Sequence, residues 1–388
     1  MNRIIVTIVF CIGWMVCSAQ TKPVAVGAEA TNEYFPLLKG KRIAVLSNHT
    51  GMVGNEHLVD LLKRKDFNVV CIFSPEHGFR GNADAGEHVS SSVDEKTGIP
   101  ILSLYDGDTG KPSVKSMSLF DVLVFDLQDV GLRFYTYYAT MVRMMDACAE
   151  SQKKMIILDR PNPNGHYVDG PILDMKYKSG VGWLPIPVVH GMTLGELAMM
   201  VNGEKWLPEG RICDISVIKC KNYTHQTMYQ LPIPPSPNLP TMKAVYMYPS
   251  TCYFEATPVS LGRGTDKPFL VYGHPNMLSY SFSFTPRSIP GAKNPPQLNK
   301  ICYGVDLSNL SDSDIWKKGV DLTYLIDAYT NLNMGDHFFR SFFEKLIGVS
   351  YVREMIKEGC SADEIKKKWS DDVEKFKKQR APYLLYQE

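Results

Sequence analysis

The sequence predicts an α/β protein: a Rossmann-like, doubly wound, mostly parallel sheet followed by a second, smaller α+β C-terminal domain. Three observations carry this reading. From residue 42 onward, short runs that are apolar throughout alternate with helical segments, and strands without polar alternation belong to parallel sheets covered on both faces. A proline-rich stretch then interrupts the chain at 231–240. Beyond it come aromatic and β-branched runs and a set of helices.

Arg42–Leu46 reads as the first strand and Glu56–Lys65 as an amphipathic helix, with Leu58, Leu61 and Leu62 on one side. Asn68–Phe73, Ile99–Leu104, Val122–Phe125 and Met155–Leu158 are further apolar runs, and a helix spans roughly Tyr137–Ser151. In Leu231–Pro240, five of ten residues are proline. That density prevents helix and central strand, leaving an extended connector. The domain boundary is placed there: 20–235 as the Rossmann-like domain, 236–388 as the smaller α+β domain. In the second half Phe269–Tyr272 and Tyr280–Phe284 read as strands, and Asp321–Asn331, Phe338–Lys345 and Ser361–Lys378 as helices. The last is lysine-rich with interspersed acids, the pattern of a solvated face.

The amino terminus stands apart. Arg3 precedes an apolar run over residues 4–16, and Cys17-Ser18-Ala19 supply small residues before Gln20. This is the layout of a secretory signal peptide covering 1–19, too short for a membrane span. Bulky Val16 argues against a lipidated Cys17. The expected location is the periplasm or the exterior, with no stable membrane insertion after the signal is removed.

Composition narrows function. The 42 basic and 41 acidic residues give a net charge of +1, which removes the electrostatic footprint of a nucleic-acid binder. Seven cysteines lie beyond the signal, without a C-x-x-C pair, so neither a zinc ribbon nor a redox motif is expected. Cys71 and Cys148 fall in apolar patterns, as small buried hydrophobes. Spacing leaves open whether Cys213 and Cys220 form a disulfide. No G-x-G-x-x-G follows a strand and no G-x-x-x-x-G-K-[ST] occurs, so the cofactor loop of nucleotide enzymes is missing and no cofactor is expected.

Polar residues collect at the end of each strand. The first strand leads into Ser47-Asn48-His49-Thr50 and the second into Ser74-Pro75-Glu76-His77-Gly78-Phe79-Arg80-Gly81. Later come Asp126-Leu127-Gln128-Asp129 with Arg133-Phe134-Tyr135, then Asp159-Arg160-Pro161-Asn162. Ligands of open parallel sheets bind beyond the carboxyl ends of the strands, so these groups should meet in one crevice. Each is also an ordinary turn or cap residue. Glu76 resists that explanation best, because Pro75 fixes the backbone before it and Gly78 and Gly81 leave space around it. Glu87 lies in the same long loop, and loops of that length are functional or disordered.

Paired carboxylates suit glycoside hydrolysis, in which one protonates the leaving oxygen and the other assists water or stabilises charge at the sugar carbon. Arg80, Arg133 and Arg160 are suited to gripping an anionic substrate group. Phe134, Tyr135 and Tyr137 offer flat faces for a sugar ring. Glu76-His77 and Glu87-His88 are the weaker basis for a metal site, since adjacent residues on an extended chain point opposite ways. In the second half, Gly262 and Gly264 flank Arg263 in a tight loop, and Glu255 precedes it. Thr193 and Glu196 form a capping box at a helix start, and His190 is left undecided between structure and function. No G-x-S-x-G elbow supports a serine hydrolase.

At these residues the chain resembles one bacterial family. The segments are Ser74-Pro-Glu-His-Gly-Phe-Arg-Gly81, Phe125-Asp-Leu-Gln-Asp-Val-Gly131, Arg133-Phe-Tyr-Thr-Tyr137 and Asp159-Arg-Pro-Asn-Pro163. His190-Gly-Met-Thr-Leu-Gly-Glu196, Ser236-Pro-Asn-Leu-Pro240 and Gly262-Arg-Gly-Thr-Asp-Lys-Pro-Phe269 complete the set. They are similar to the DUF1343 family, now associated with the exo-β-N-acetylmuramidase NamZ. Ala256 and Leu261 depart from the pattern and touch only local loop detail. The resemblance implies an exo-acting glycosidase of cell-wall turnover, releasing N-acetylmuramic acid from the non-reducing end of peptidoglycan fragments. Its partners would be peptidoglycan-derived disaccharides and muropeptides. Glu76 is then the expected general acid and Glu87 the second carboxylate, with Glu255, Asp126 and Asp129 as substitutes. Asn48, His77, Arg80, Asp126, Gln128, Asp129, Arg133, Tyr135, Arg160, Glu255 and Arg263 are expected to bind substrate. Retaining, inverting and acetamido-assisted routes all stay open. The rival reading is an exported muropeptide-binding protein that does not cleave.

Overall fold

The computed structural model describes residues 22–75, 79, 92–104 and 111–388. Helix α1 (Thr31–Leu38) leads into strand β1 (Ile43–Ser47), a small hairpin of β2 (Met52–Val53) and β3 (Glu56–His57), and helix α2 (Leu58–Arg64). Then come β4 (Val69–Ser74), β5 (Ser92–Val93), β6 (Pro100–Ser103), α3 (Val114–Ser118) and β7 (Val122–Asp126). Helix α4 (Tyr137–Glu150), β8 (Lys154–Leu158), α5 (Leu194–Gly203) and β9 (Ile215–Ile218) complete the first half.

The sheet order is β5-β6-β4-β1-β7-β8-β9, with every pairing parallel except β5 on β6. Successive residues serve opposite faces, as the pleat requires. Ile43, Val45, Ile72, Val122, Val124 and Ile156 join the core under α1 and α2. Ala44, Leu46, Phe73, Leu123, Phe125 and Ile157 join the core that contains α4 and α5. Both faces are covered, which is why these strands read as unbroken apolar runs. Cys71 and Cys148 are buried in the second core.

The order of the six parallel strands matters for the site. They run outward from β1 in one direction through β4 and β6, and outward in the other through β7, β8 and β9. The chain therefore reverses its direction of winding between β1 and β7. At that switch the two connections leave to opposite sides and open a crevice beyond the strand ends.

The second half begins with α6 (Met242–Thr251) and carries a smaller antiparallel sheet, β10 (Val271–His274), β12 (Cys302–Asp306) and β11 (Phe282–Phe284) in that order. Helices Asp312–Lys318, Thr323–Leu332, Phe343–Ile347, Tyr351–Lys357 and Ala362–Arg380 pack around it. The core on the α4 side continues without a break into this half, through Tyr253, Phe254, Phe269, Phe343 and Trp369. The two halves thus share one hydrophobic interior.

Three elements differ from expectation. The predicted helix 56–65 starts at Leu58, because Glu56 and His57 pair with Val53 and Met52 and the His57 ring caps the helix through Val59 N at 3.2 Å. The predicted helix 338–345 is shorter and later, Phe343–Ile347, and ends on Gly348 in the left-handed region. In Ser361–Lys378 the helix is present, opened by a reciprocal Ser361–Glu364 capping box, and runs on to Arg380. The residues expected as a signal peptide, 1–19, lie outside the described residues. Among the described residues no helix is long and apolar enough to cross a membrane.

Candidate active site at the junction of the two halves

The crevice at the strand switch is organised by short polar links. Asn48, just past β1, accepts from Thr50 N at 3.0 Å and from Thr50 Oγ1 at 2.6 Å, and its amide donates to Tyr137 Oη at 2.8 Å. Gln128 N, past β7, donates to Thr50 Oγ1 at 3.3 Å. The Gln128 amide reaches Asp129 O at 2.8 Å and Pro161 O at 2.7 Å, so it ties the β7 and β8 loops together. Gly131 comes next in this loop with φ +76°, and a Cβ there would stand 2.2 Å from Asn162 Oδ1. Only glycine fits that turn.

Two of the expected binding residues pair with each other. Arg160 Nε meets Asp126 Oδ1 at 2.5 Å and Arg160 Nη2 meets Asp126 Oδ2 at 3.0 Å, both groups buried. Arg160 Nη2 also donates to Met52 O at 2.9 Å. This two-pronged contact satisfies both charges inside the protein. Arg133 is likewise occupied: Nη1 donates to Pro171 O and Ile186 O at 2.6 and 2.9 Å, and Nη2 to Leu346 O and Ile347 O at 2.9 and 2.7 Å. Burial pulls its pKa down to about 10, so it stays charged at neutral pH while fastening the first half to the second.

Asp129 is different. Its Oδ1 accepts from Gly131 N at 2.7 Å, while its buried Oδ2 has no hydrogen-bond partner among the described residues. Burial pushes the carboxyl up to about 7. Asp159, by contrast, accepts from Thr193 Oγ1, Gly195 N and Tyr386 Oη at 2.7, 2.9 and 2.7 Å. It caps α5, together with the expected Thr193–Glu196 box. His190 is buried, its Nδ1 accepts from Met192 N at 3.3 Å, and burial drives its pKa down to about 3. It is a neutral structural ring.

The proline-rich connector passes over this edge. Its carbonyls take His49 Nε2 at Pro234 O, 3.0 Å, and Tyr135 Oη at Pro235 O, 2.8 Å. Behind it lies a cavity of about 410 Å³ between the halves. The first half contributes Tyr135, Thr136, Tyr137, Thr140 and Arg143, the connector Ser236 and Asn238, and the second half Tyr248, Glu255, Arg263 and Phe269. Glu255 Oε1 accepts from Arg263 Nη2 at 2.6 Å, and the Arg263 guanidinium stands 5.3 Å from the centre of the Phe269 ring. Gly262 and Gly264 have φ of +83° and +82°, which lets the loop fold tightly and project that one side chain. Aromatic faces, a carboxylate and a guanidinium in a cavity of this size suit a single charged sugar.

The structure therefore brings Tyr135, Glu255 and Arg263 together, with Asn48 one hydrogen bond behind Tyr137. It does not bring Arg133, Arg160, Asp126, Gln128 or Asp129 to the cavity wall. Glu76, His77, Arg80 and Glu87 lie outside the described residues. Pro75, directly after β4, is the described residue that precedes Glu76. Arg143, Thr140 and Tyr248 are cavity residues not anticipated from sequence. The signal for the first two was available: Thr136, Thr140 and Arg143 recur at the spacing of one helix face. Among the described residues no cluster of three His, Cys, Asp or Glu side chains is placed to hold a metal ion.

Two consecutive family profiles match the chain: Exo-beta-N-acetylmuramidase NamZ, N-terminal, over residues 43–243, and the C-terminal counterpart over 246–386. The chain belongs to the NamZ family. It is 39% identical over 374 residues to the peptidoglycan beta-N-acetylmuramidase NamZ of Bacillus subtilis strain 168, covering 91% of this chain and 89% of that protein. Among solved structures, a DUF1343 family protein of Bacteroides fragilis NCTC 9343 is 71% identical with a TM-score of 0.89, covering 95% of this chain and all of that one. A second DUF1343 protein of the same organism is 29% identical with a TM-score of 0.78, over 94% of this chain and 99% of the other.

Proposed function

We propose that this NamZ-family glycosidase releases N-acetylmuramic acid from the non-reducing end of peptidoglycan fragments, cutting its β-1,4 bond to N-acetylglucosamine. The observation that supports this best is the cavity between the halves, which Glu255 and Arg263 line together with Tyr135 and Tyr137. Muramic acid carries a lactyl carboxylate, and a partly buried guanidinium is its natural partner. The aromatic rings take the sugar's apolar face. A cavity of one-sugar size favours a chain end over a chain interior, in keeping with exo action.

In this reading Glu76 is the general acid. It donates its proton to the bridging oxygen as the bond to the muramyl C1 breaks, and a water oxygen completes the new hemiacetal. Glu87 serves as the second carboxylate, and Glu255 orients Arg263 and the substrate. Asn48 holds the Tyr137 hydroxyl, and Gln128, Asp126, Arg160 and Arg133 keep the loops in place behind the cavity. The residues 1–19 are read as an export signal, which puts the enzyme in the periplasm or outside the cell.

The decisive experiment is incubation with a MurNAc–GlcNAc disaccharide. Wild type is expected to yield both monosaccharides, and Glu76→Gln to lose turnover at least about a thousandfold while still folding and binding. Binding by wild type without release of monosaccharides would leave a muropeptide-binding protein instead. Near-normal hydrolysis by Glu76→Gln would remove that residue from the role.

A further inference from the structure

The proline-rich connector cannot hold itself in place. Its prolines have no N–H to donate, so its position is set by the groups that reach it. His49 Nε2 donates to Pro234 O at 3.0 Å and Tyr135 Oη to Pro235 O at 2.8 Å, both from the first half. From the second half Gly291 closes in, with φ +82°, where a Cβ would stand 2.7 Å from Pro237 Cβ. Held from both sides, the connector presents Ser236, Asn238 and Leu239 to the cavity of about 410 Å³.

Each of the two polar residues keeps one group unspent. Ser236 Oγ accepts from Asn238 N at 3.3 Å, and its hydroxyl proton has no acceptor among the described residues. Asn238 Nδ2 donates to Gly291 O at 2.7 Å. Because a carbonyl accepts there, the amide nitrogen must face Gly291 and Oδ1 is the other end. Among the described residues nothing donates to that Oδ1. The connector thus carries one unspent donor, one unspent acceptor and, in Leu239, an apolar side chain.

An acetamido group is the complement of that set. Its carbonyl accepts from a hydroxyl, its N–H donates to an amide oxygen, and its methyl takes apolar surface. A sugar hydroxyl offers donor and acceptor on one atom, whereas Ser236 and Asn238 present theirs on separate side chains. Position agrees as well. Asn238 and Arg263 line the same cavity. Gly291, the partner of Asn238, lines a further cavity of about 310 Å³ together with Arg263. The Asn238 amide and the guanidinium therefore stand in the same part of the site. In N-acetylmuramic acid the acetamido and lactyl groups likewise stand on adjacent carbons.

We propose that Ser236 and Asn238 are specificity-determining residues that read the N-acetyl group of the terminal sugar. The inference rests on the proposed function for the identity of that sugar. The Ser236 hydroxyl donates to the acetyl carbonyl, Asn238 Oδ1 accepts from the acetamido N–H, and Leu239 packs on the methyl. A site built to hydrogen-bond a group in this way rejects the analogue that lacks it, because its own buried polar groups are then left unpaired.

The test is calorimetric binding of two monosaccharides, N-acetylmuramic acid and the same 3-O-lactyl sugar with a hydroxyl in place of the acetamido group. Wild type is expected to bind the first at least about tenfold more tightly. Ser236→Ala should weaken the first about tenfold and leave the second unchanged, so that the preference collapses. Asn238→Ala, which leaves Ser236 in place, gives the same readout if Ser236→Ala does not fold, and retained binding of the hydroxyl sugar shows that the site is intact. An unchanged preference, or equal weakening of both sugars, overturns the assignment. Release of monosaccharides from the MurNAc–GlcNAc disaccharide by wild type is scored separately. Hydrolysis together with an unchanged preference rejects the acetamido reader alone, whereas no hydrolysis and no binding of either sugar rejects the proposed function and this inference with it.

Discussion

Asp129 is a buried residue whose ionisation bears on folding. Its carboxyl is pushed up to about 7 by burial, from an ordinary value of 3.8. A folded-state pKa above the unfolded one means that the native protein holds the proton more tightly. The associated stability is fully present below the unfolded value and is lost as pH rises through about 7. Asp129→Asn keeps a carbonyl oxygen for Gly131 N and removes the titration. Chemical denaturation at pH 5 and pH 8 should show wild type losing on the order of a few kcal/mol relative to the variant as pH rises. Equal losses in both proteins would mean that the carboxyl is better solvated than its surroundings indicate. Asp126, at the end of β7, is paired instead. A buried arginine beside it supplies both prongs of a fork, and the pair is a fixture of the β7–β8 junction.

At the level of elements, α5 shows how capping and topology reinforce each other. Thr193 accepts from Glu196 N at 3.2 Å, Glu196 Oε2 takes Thr193 N at 2.9 Å, and Thr193 Oγ1 donates to Asp159 at the end of β8. Thr193→Ala should cost about 1–2 kcal/mol, since it removes a cap and one partner of a buried carboxylate. A melting temperature within about a degree of wild type would show that the box contributes little. That box was legible in the sequence, as were five of the six parallel strands, because both depend on local spacing. Strand β9 was not legible: Ile215–Ile218 is only half-buried along most of its length and lacks a long apolar run. Nor was β12, whose glycine and aspartate weaken the strand pattern. In the site, Glu255 and Arg263 could be read as candidates because glycines and charge flag a loop. The occupation of Arg133 could not, since its four carbonyl partners come from residues as distant as Ile347. Sequence shows that an arginine lies beyond a strand, and only the assembled fold shows that backbone oxygens already surround it.

Across the whole molecule, Arg133 and the shared interior join the halves firmly. Gly348, with φ +89°, lies where a Cβ would stand 2.6 Å from Arg133 Nη2, so the second half is shaped around that guanidinium. Hinge opening would break charge-assisted bonds and expose a continuous core, which favours a cleft of fixed width. A second tie comes from the far end of the chain. Tyr386 Oη donates to Asp159 Oδ2 and accepts from Cys220 N at 2.9 Å, His225 N donates to Gln387 O at 2.7 Å, and Leu385 N donates to Glu196 Oε1 at 2.8 Å. Removing 384–388 should therefore destabilise the protein by about 3–5 kcal/mol, as two buried carboxylates lose partners. Unfolding should nonetheless remain a single transition by calorimetry; two separated transitions would show that the halves are independent. The return of the tail also orders events in time. The first half needs residues 384–388, so a ribosome-bound chain from which they have not yet emerged is held short of its final state.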